Sequence, residues 1–212
     1  KGKVVAQPGG GYHLNLRPVS SPLPLISLII PTRDQPALLQ TCLSSIFEKS
    51  SYPNFEVVLV DNRGEKEETQ QLFADWQGRY PARIRVVPAD MDFNFSALIN
   101  LGRQHCQGDY LLILNNDTEV ITPDWMERLL AQAERPEVGV VGPKLLFPDG
   151  RIQFAGTVVG LWGGAAHVFH HEPAETRAYF NQAQLQSNYA AMTAACYLVK
   201  AKLFDDIQGM DP

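Results

Sequence analysis

Leu25-Ile26-Ser27-Leu28-Ile29-Ile30, stopped by Pro31, is the stretch on which the reading of this sequence turns. Apolar on both faces and of strand length, it has the composition of a central strand in a parallel sheet. Residues 36–49 follow with Leu38, Leu39, Leu43, Ile46 and Phe47 at helical spacing and Pro36 in the first turn. The alternation then repeats. Phe55-Glu56-Val57-Val58-Leu59-Val60 predicts a second strand ending at Asp61, and residues 65–80 predict a helix carrying Leu72, Phe73 and Trp76. Residues 84–87 form a short third strand, residues 94–106 a helix with Ala97, Leu98 and Leu101 on one face, and residues 109–114 a fourth strand running into Asn115-Asn116-Asp117. Thr122-Pro123-Asp124 supplies a cap, a first-turn proline and an acid for a helix reaching about residue 134. Strand and helix at this spacing specify an α/β fold, a mostly parallel central sheet with helices on both faces.

Outside this rhythm the sequence changes character. Residues 1–24 hold Pro8, Gly9, Gly10, Gly11, Pro18, Pro22 and Pro24, which read as a lead-in or linker with one edge strand near residues 12–16. Beyond Val138, the turn Phe147-Pro148-Asp149-Gly150 and a glycine-rich, β-branched stretch to Phe169 predict a smaller mixed or antiparallel part. A further strand is expected within residues 189–199, and a short helix over residues 200–207.

The net charge of −5 and the absence of a Lys/Arg stripe argue against a nucleic-acid partner. Three scattered cysteines, Cys42, Cys106 and Cys196, exclude a disulfide framework or zinc knuckle and read as small buried apolar residues in a reducing compartment. The apolar runs are too short to cross a bilayer and the N-terminus has no signal-peptide core, so a cytoplasmic location is expected.

Open parallel sheets bind ligands beyond the carboxyl ends of their strands. Three such ends are polar here: Pro31-Thr32-Arg33-Asp34, Asp61-Asn62-Arg63-Gly64 and Asn115-Asn116-Asp117-Thr118-Glu119. Aspartate and asparagine also end strands simply because they favour turns, but three polar ends on one edge point to a crevice. Neither a GxxxxGK[ST] phosphate loop nor a GxGxxG turn is present, so phosphates at such a site need a cation. Mg²⁺ or Mn²⁺ takes hard oxygen donors, often one or two carboxylates with substrate phosphates completing the shell. Asp117 offers the carboxylate, and the Asn115 amide oxygen a weaker or water-mediated partner. Asp61 is placed to accept hydrogen bonds from a base or a ribose hydroxyl, and Asp34, beside Thr32, is placed to do the same.

These stretches, together with Phe93-Asn94-Phe95-Ser96-Ala97-Leu98-Ile99-Asn100, Gly108 to Leu114, Pro148-Asp149-Gly150-Arg151-Ile152-Gln153, Thr193-Ala194-Ala195-Cys196 and Gly209-Met210-Asp211, resemble family 2 glycosyltransferases. The members most similar build bacterial surface polysaccharides and include rhamnosyltransferases. The resemblance runs from Leu25 to the end of the chain. It implies a GT-A fold, a nucleotide-diphosphate sugar donor such as a UDP- or dTDP-sugar, Mg²⁺ or Mn²⁺, inversion at the anomeric carbon, and a glycan or lipid-linked glycan acceptor. It further implies assembly of O-antigen-type glycans at the inner face of a membrane. By position, Pro31, Thr32, Asp34 and Asp61 then meet the nucleoside, and Asn115-Asn116-Asp117 stands where the family has its DxD metal motif, with Asn in the first acid's place. Asn94 and Asn100 face the ribose or diphosphate, or else serve as a helix cap and a satisfied amide.

The family's catalytic base follows the segment that here reads Gln208-Gly209-Met210-Asp211-Pro212. A transferase domain over residues 25–212 that lacks its base, and by itself transfers sugar poorly, is therefore expected. A non-catalytic nucleotide-sugar-binding module of a larger protein is the alternative. A nucleotidyltransferase needs a glycine-rich basic loop after the first strand, which Pro31-Thr32-Arg33-Asp34 is not. His167, His170 and His171 admit a transition-metal site, an acceptor or diphosphate contact, or ordinary surface and packing roles. Trp162 admits sugar stacking or a core or lid position.

Overall fold

The computed structural model describes residues 2–161 and 163–212. In chain order the elements are β1 (Gly2–Ala6), β2 (Tyr12–Leu16), β3 (Ile26–Thr32), α1 (Pro36–Lys49), β4 (Phe55–Asp61), α2 (Glu67–Arg79), β5 (Ile84–Pro88), α3 (Phe95–Arg103) and β6 (Tyr110–Leu114). Then come α4 (Trp125–Ala133), β7 (Val140–Val141), β8 (Leu145–Leu146), β9 (Ile152–Phe154), β10 (Thr157–Leu161), β11 (Gly164–His167), β12 (Cys196–Lys200) and α5 (Ala201–Asp206). The chain divides into two compact units, Ser20–Glu127 with Ala194–Pro212, and Lys1–Val19 with Arg128–Thr193.

In the first of these units the strands run in the order β5-β4-β3-β6-β12. β3 pairs in parallel with β4, from Ile26↔Phe55 to Thr32↔Asp61, and with β6, from Ile26↔Tyr110 to Ile29↔Ile113. β5 extends the parallel set beyond β4, while β12 runs antiparallel to β6. The uninterrupted apolar runs follow from this position, because a central strand has no solvent face. Side chains alternate along each strand. Ile29, Val58, Val60, Val87, Leu111 and Ile113 share a core with Leu98 and Ile99 of α3 and Phe204 of α5. Leu28, Ile30, Val57 and Leu59 project to the opposite side and are equally buried, as are Leu39, Leu43 and Ile46 of α1. Helices thus cover both faces.

Gly102 sets how closely α3 approaches the sheet. A Cβ there would lie 2.5 Å from Ile29 Cγ2 and 3.0 Å from Val60 Cγ2, so no larger residue fits without displacing the helix. The two polar residues inside the strand runs are explained by partners: Ser27 Oγ donates to Glu56 Oε1 at 2.6 Å, which also accepts from the Gln107 amide, and the Gly108 amide donates to Ser27 Oγ at 2.8 Å.

Within the second unit three strand pairs are antiparallel: β1 with β2, β8 with β9, and β10 with β11. Within residues 1–24 the Pro8–Gly11 punctuation is the turn between β1 and β2, and the strand expected near residues 12–16 is β2. The Gln7 amide donates to Gly11 O at 3.0 Å, and Gly9, Gly10 and Gly11 take φ of 95°, 102° and 82°, values that disfavour side-chain-bearing residues. The strand expected within residues 189–199 is confined to β12, because β6 offers only Tyr110–Leu114 to pair with. The cysteines are free. Burial pushes the Cys42 thiol up to about 11 and those of Cys106 and Cys196 to about 12, so none is a thiolate nucleophile at neutral pH. Among the described residues no helix is long and apolar enough to cross a membrane.

Candidate functional site

Because β3, β4 and β6 are parallel, their carboxyl ends lie along one edge, where Thr32, Asp61 and Asn115 sit. Hydrogen bonds knit the three ends together. The Asn62 amide donates to Thr32 O at 2.9 Å, and Asn116 Nδ2 donates to Thr32 Oγ1 at 3.0 Å. Pro31 occupies its predicted place in β3, opposite Val60, and Arg33 is exposed just beyond.

Most of the predicted carboxylates and amides are also engaged by the scaffold. Asp61 is buried; its Oδ1 accepts from the Gly64 amide at 3.1 Å and its Oδ2 from Gln70 Nε2 at 3.2 Å. Asp34 stands at φ 46°, and its carboxylate accepts from the amides of Glu65 and Lys66 at 2.9 Å each. Those two N–H groups, Glu65 first, hold the Asp34 carboxyl below its ordinary value of 3.8. It thereby stitches the β3–α1 loop to the start of α2.

Asn62 Nδ2 donates to Ala89 O and Met91 O, and Arg63 reaches Asp90 at 2.7 Å and Asp92 at 2.8 Å, so residues 89–92 are pinned to the end of β4. That segment delivers Asn94, whose Oδ1 accepts from the Ala97 amide at 3.0 Å as the cap of α3. Asn100 clasps the backbone of Met210, with Nδ2 donating to its carbonyl at 2.8 Å and Oδ1 accepting from its amide at 2.9 Å. Cap and satisfied amide are therefore the roles these two asparagines fill in the structure. Gln70, Asn62 and Arg63 are contributors that the sequence reading did not single out. Asn62 and Arg63 stood in a quoted strand end, while Gln70 sits inside a polar helix face with no distinguishing signal.

Asp117 differs from its neighbours. It is exposed and no hydrogen bond or ion pair engages its carboxylate among the described residues. Its charge adds to the burial that raises the Cys42 thiol, which places it beside α1. Asn115 is half-buried, its amide donating to Ala195 O at 3.0 Å and its carbonyl accepting from Thr118 Oγ1 at 2.9 Å, while its side chain is unengaged. No cluster of three or more His, Cys, Asp or Glu able to hold a metal exists among the described residues, the histidines at 167, 170 and 171 included. A transition-metal cage is thus unsupported. One free carboxylate with a nearby amide instead fits a magnesium-type ion whose remaining ligands come from substrate phosphates and water. Trp162 lies outside the described residues.

Residues 27–206 match the model of glycosyl transferase family 2. The chain belongs to that family. It is 39% identical over 189 residues to the O-antigen biosynthesis protein RfbC of Myxococcus xanthus, and 43% identical over 188 residues to the uncharacterized protein y4gI of Sinorhizobium fredii. Each match covers 89% of this chain, which spans only 15% and 21% of those relatives. Among solved structures, this chain is similar to a mannosyltransferase of Pyrobaculum calidifontis in complex with GDP-Man and Mn²⁺, with a TM-score of 0.63 at 18% identity, covering 92% of this chain and 50% of that one. GalNAc-T7 with UDP, GalNAc and Mn²⁺ gives a TM-score of 0.68 at 16% identity, covering 88% and 36%. These likenesses establish the GT-A fold expected from the sequence.

Proposed function

We propose that the strand-end crevice binds the nucleoside diphosphate of a sugar donor, and that this domain serves an inverting, metal-dependent glycosyltransferase in the assembly of O-antigen-type surface polysaccharide. The observation that carries the reading is Asp117, an unengaged carboxylate on an edge where Thr32, Asp34, Asp61, Asn62 and Asn116 are held by the scaffold. Asp117, with Asn115 beside it, would hold Mg²⁺ or Mn²⁺, and the ion would offset charge on the diphosphate leaving group. The buried Asp61 keeps lone pairs free to accept from a base or ribose hydroxyl, and its bonds to Gly64 and Gln70 hold it in one orientation. Thr32 and Asn116 fix the distance between the two strand ends.

In the reaction the acceptor hydroxyl oxygen attacks the anomeric carbon, the bond from that carbon to the diphosphate oxygen breaks, and the diphosphate departs with the electron pair. A general base must take the hydroxyl proton. Asp205 and Asp206 are poor candidates, being paired with Arg103 at 2.6 Å and Lys202 at 2.7 Å. The donor class finds support in the nucleotides bound by the two solved relatives, and the glycan class in the name of the Myxococcus protein. A cytoplasmic site of action, peripheral to the inner membrane face, accompanies this reading.

Calorimetry with UDP, dTDP and GDP, with and without Mn²⁺, tests it. At least one nucleotide should bind in a Mn²⁺-dependent manner, and Asp117→Ala should weaken that binding at least about tenfold, roughly 1.4 kcal/mol. Unchanged affinity and unchanged Mn²⁺ dependence in the variant would remove Asp117 from the site.

A further inference from the structure

In the unit formed by Lys1–Val19 and Arg128–Thr193, an open cleft of about 520 Å³ is lined by His167, Phe169, His170, Glu172, Thr176 and Ala178. Its walls are backbone held on both sides. The Val168 amide donates to Gly156 O at 3.0 Å, His171 N to Ile152 O and Ile152 N to Glu172 O at 2.8 Å each. Around Thr176, Gln184 Nε2 donates to the carbonyls of Ala174 and Thr176 at 2.7 Å each, and Lys144 Nζ reaches Ala174 O at 3.0 Å. Phe169, His171 and Ala178 are held at φ of 56°, 67° and 45°. Left-handed backbone at bulky residues persists only where the surroundings enforce it, and it clusters at ligand sites.

The side chains on this frame are largely unengaged. Among the described residues no hydrogen bond occupies the Glu172 carboxylate, the Thr176 hydroxyl or the His170 ring, and His167 uses only Nδ1, toward Gln153 O at 3.4 Å. The His170 ring centroid is 4.1 Å from that of His171 and 5.9 Å from that of His167. Desolvation and those two imidazoles hold His170 below its ordinary value of 6.5, so it is uncharged at neutral pH.

The lining chemistry selects a ligand class. Among the described residues that line the cleft none is Lys or Arg, so an anion would meet Glu172 without a lining counter-charge. A metal ion would find too few ligands. A sugar ring fits: its hydroxyls donate to the carboxylate and imidazole nitrogens, and its C–H face lies on the Phe169 ring. We propose that the cleft lined by His167, Phe169, His170, Glu172 and Thr176 binds a neutral saccharide. The saccharide class rests on the lining alone and does not depend on the donor-site reading above.

The test follows the imidazole signals of the chain by NMR during titration with methyl α-L-rhamnopyranoside, methyl α-D-mannopyranoside and methyl α-D-glucopyranoside. At least one glycoside should shift His167 and His170 saturably and leave His13 unmoved. Glu172→Gln and Phe169→Leu, each checked for an unchanged amide spectrum elsewhere, should raise the apparent Kd at least about tenfold. No response to any of the three sugars, or a response confined to inorganic phosphate or Zn²⁺, overturns the proposal. A chain that binds glycoside but no nucleotide keeps the saccharide site and loses the donor-site reading. A chain that binds nucleotide with Asp117 dependence but no glycoside loses the cleft and keeps the donor site.

Discussion

The strand-end crevice and the histidine cleft are built in opposite ways. At the crevice, regular strands already satisfy the backbone, so side chains do the joining: Asp34, Asp61, Asn62, Asn94, Asn100 and Asn116 all bond to the scaffold, and Asp117 is left free. At the cleft the backbone is irregular and has to be tied down by itself and by Gln184 and Lys144, while among the described residues no hydrogen bond engages the side chains of Glu172, Thr176 and His170. A polar residue at the end of a parallel strand is thus weak evidence of ligand contact until its partners are known. A polar residue on a strained, pinned loop is stronger evidence, because nothing in the fold uses it.

Substitutions sharpen this contrast. The largest effect should come from the core beneath the crevice: Leu98→Ala removes a fully buried side chain between α3 and the sheet and should cost about 2–5 kcal/mol in urea unfolding. Asn100→Ala leaves the Met210 amide and carbonyl without their side-chain partner and should cost about 1–3 kcal/mol. A near-zero change there would show that the clasp is incidental.

Asp34→Ala should destabilise less, and with a defined pH dependence. The folded carboxyl titrates below its ordinary value of 3.8, so its contribution is complete above that pH and disappears as pH falls through the lower, folded value. The stability gap between wild type and variant should therefore be constant at neutral pH and close only in acid below about 3.8. A gap that closes between pH 5 and 7 would mean another group is responsible. The smallest effect is expected in the cleft: Glu172→Gln should change stability by no more than about 0.5 kcal/mol. A loss above about 1 kcal/mol would break the comparison, since it would make Glu172 a structural residue.

Much of the sheet was legible in the sequence. Unbroken apolar runs such as Ile26–Ile30 and Val57–Val60 are what a doubly covered strand requires, and the polar residues that end them mark the binding edge. The partners of those polar residues were not legible, because Asp34 to Glu65, Asn62 to Met91 and Asn100 to Met210 are contacts between segments distant in sequence. Residues 12–16 are legible as a strand but their partner β1 is not, because three consecutive glycines have the same composition in a hairpin turn and in a linker. The cleft was legible only as a histidine-rich stretch. Its backbone strain leaves no periodicity, and Phe169, His171 and Ala178 are residue types that propensity would not place at positive φ.

The antiparallel strand β12 has a consequence for synthesis. It closes the flank of β6 with residues that leave the ribosome about 80 positions later, so Tyr110–Leu114 waits with one row of backbone donors and acceptors open. An unpaired Tyr-Leu-Leu-Ile-Leu edge is a template for joining other nascent chains. Until Cys196–Lys200 arrives, that edge is open to pairing with any exposed strand.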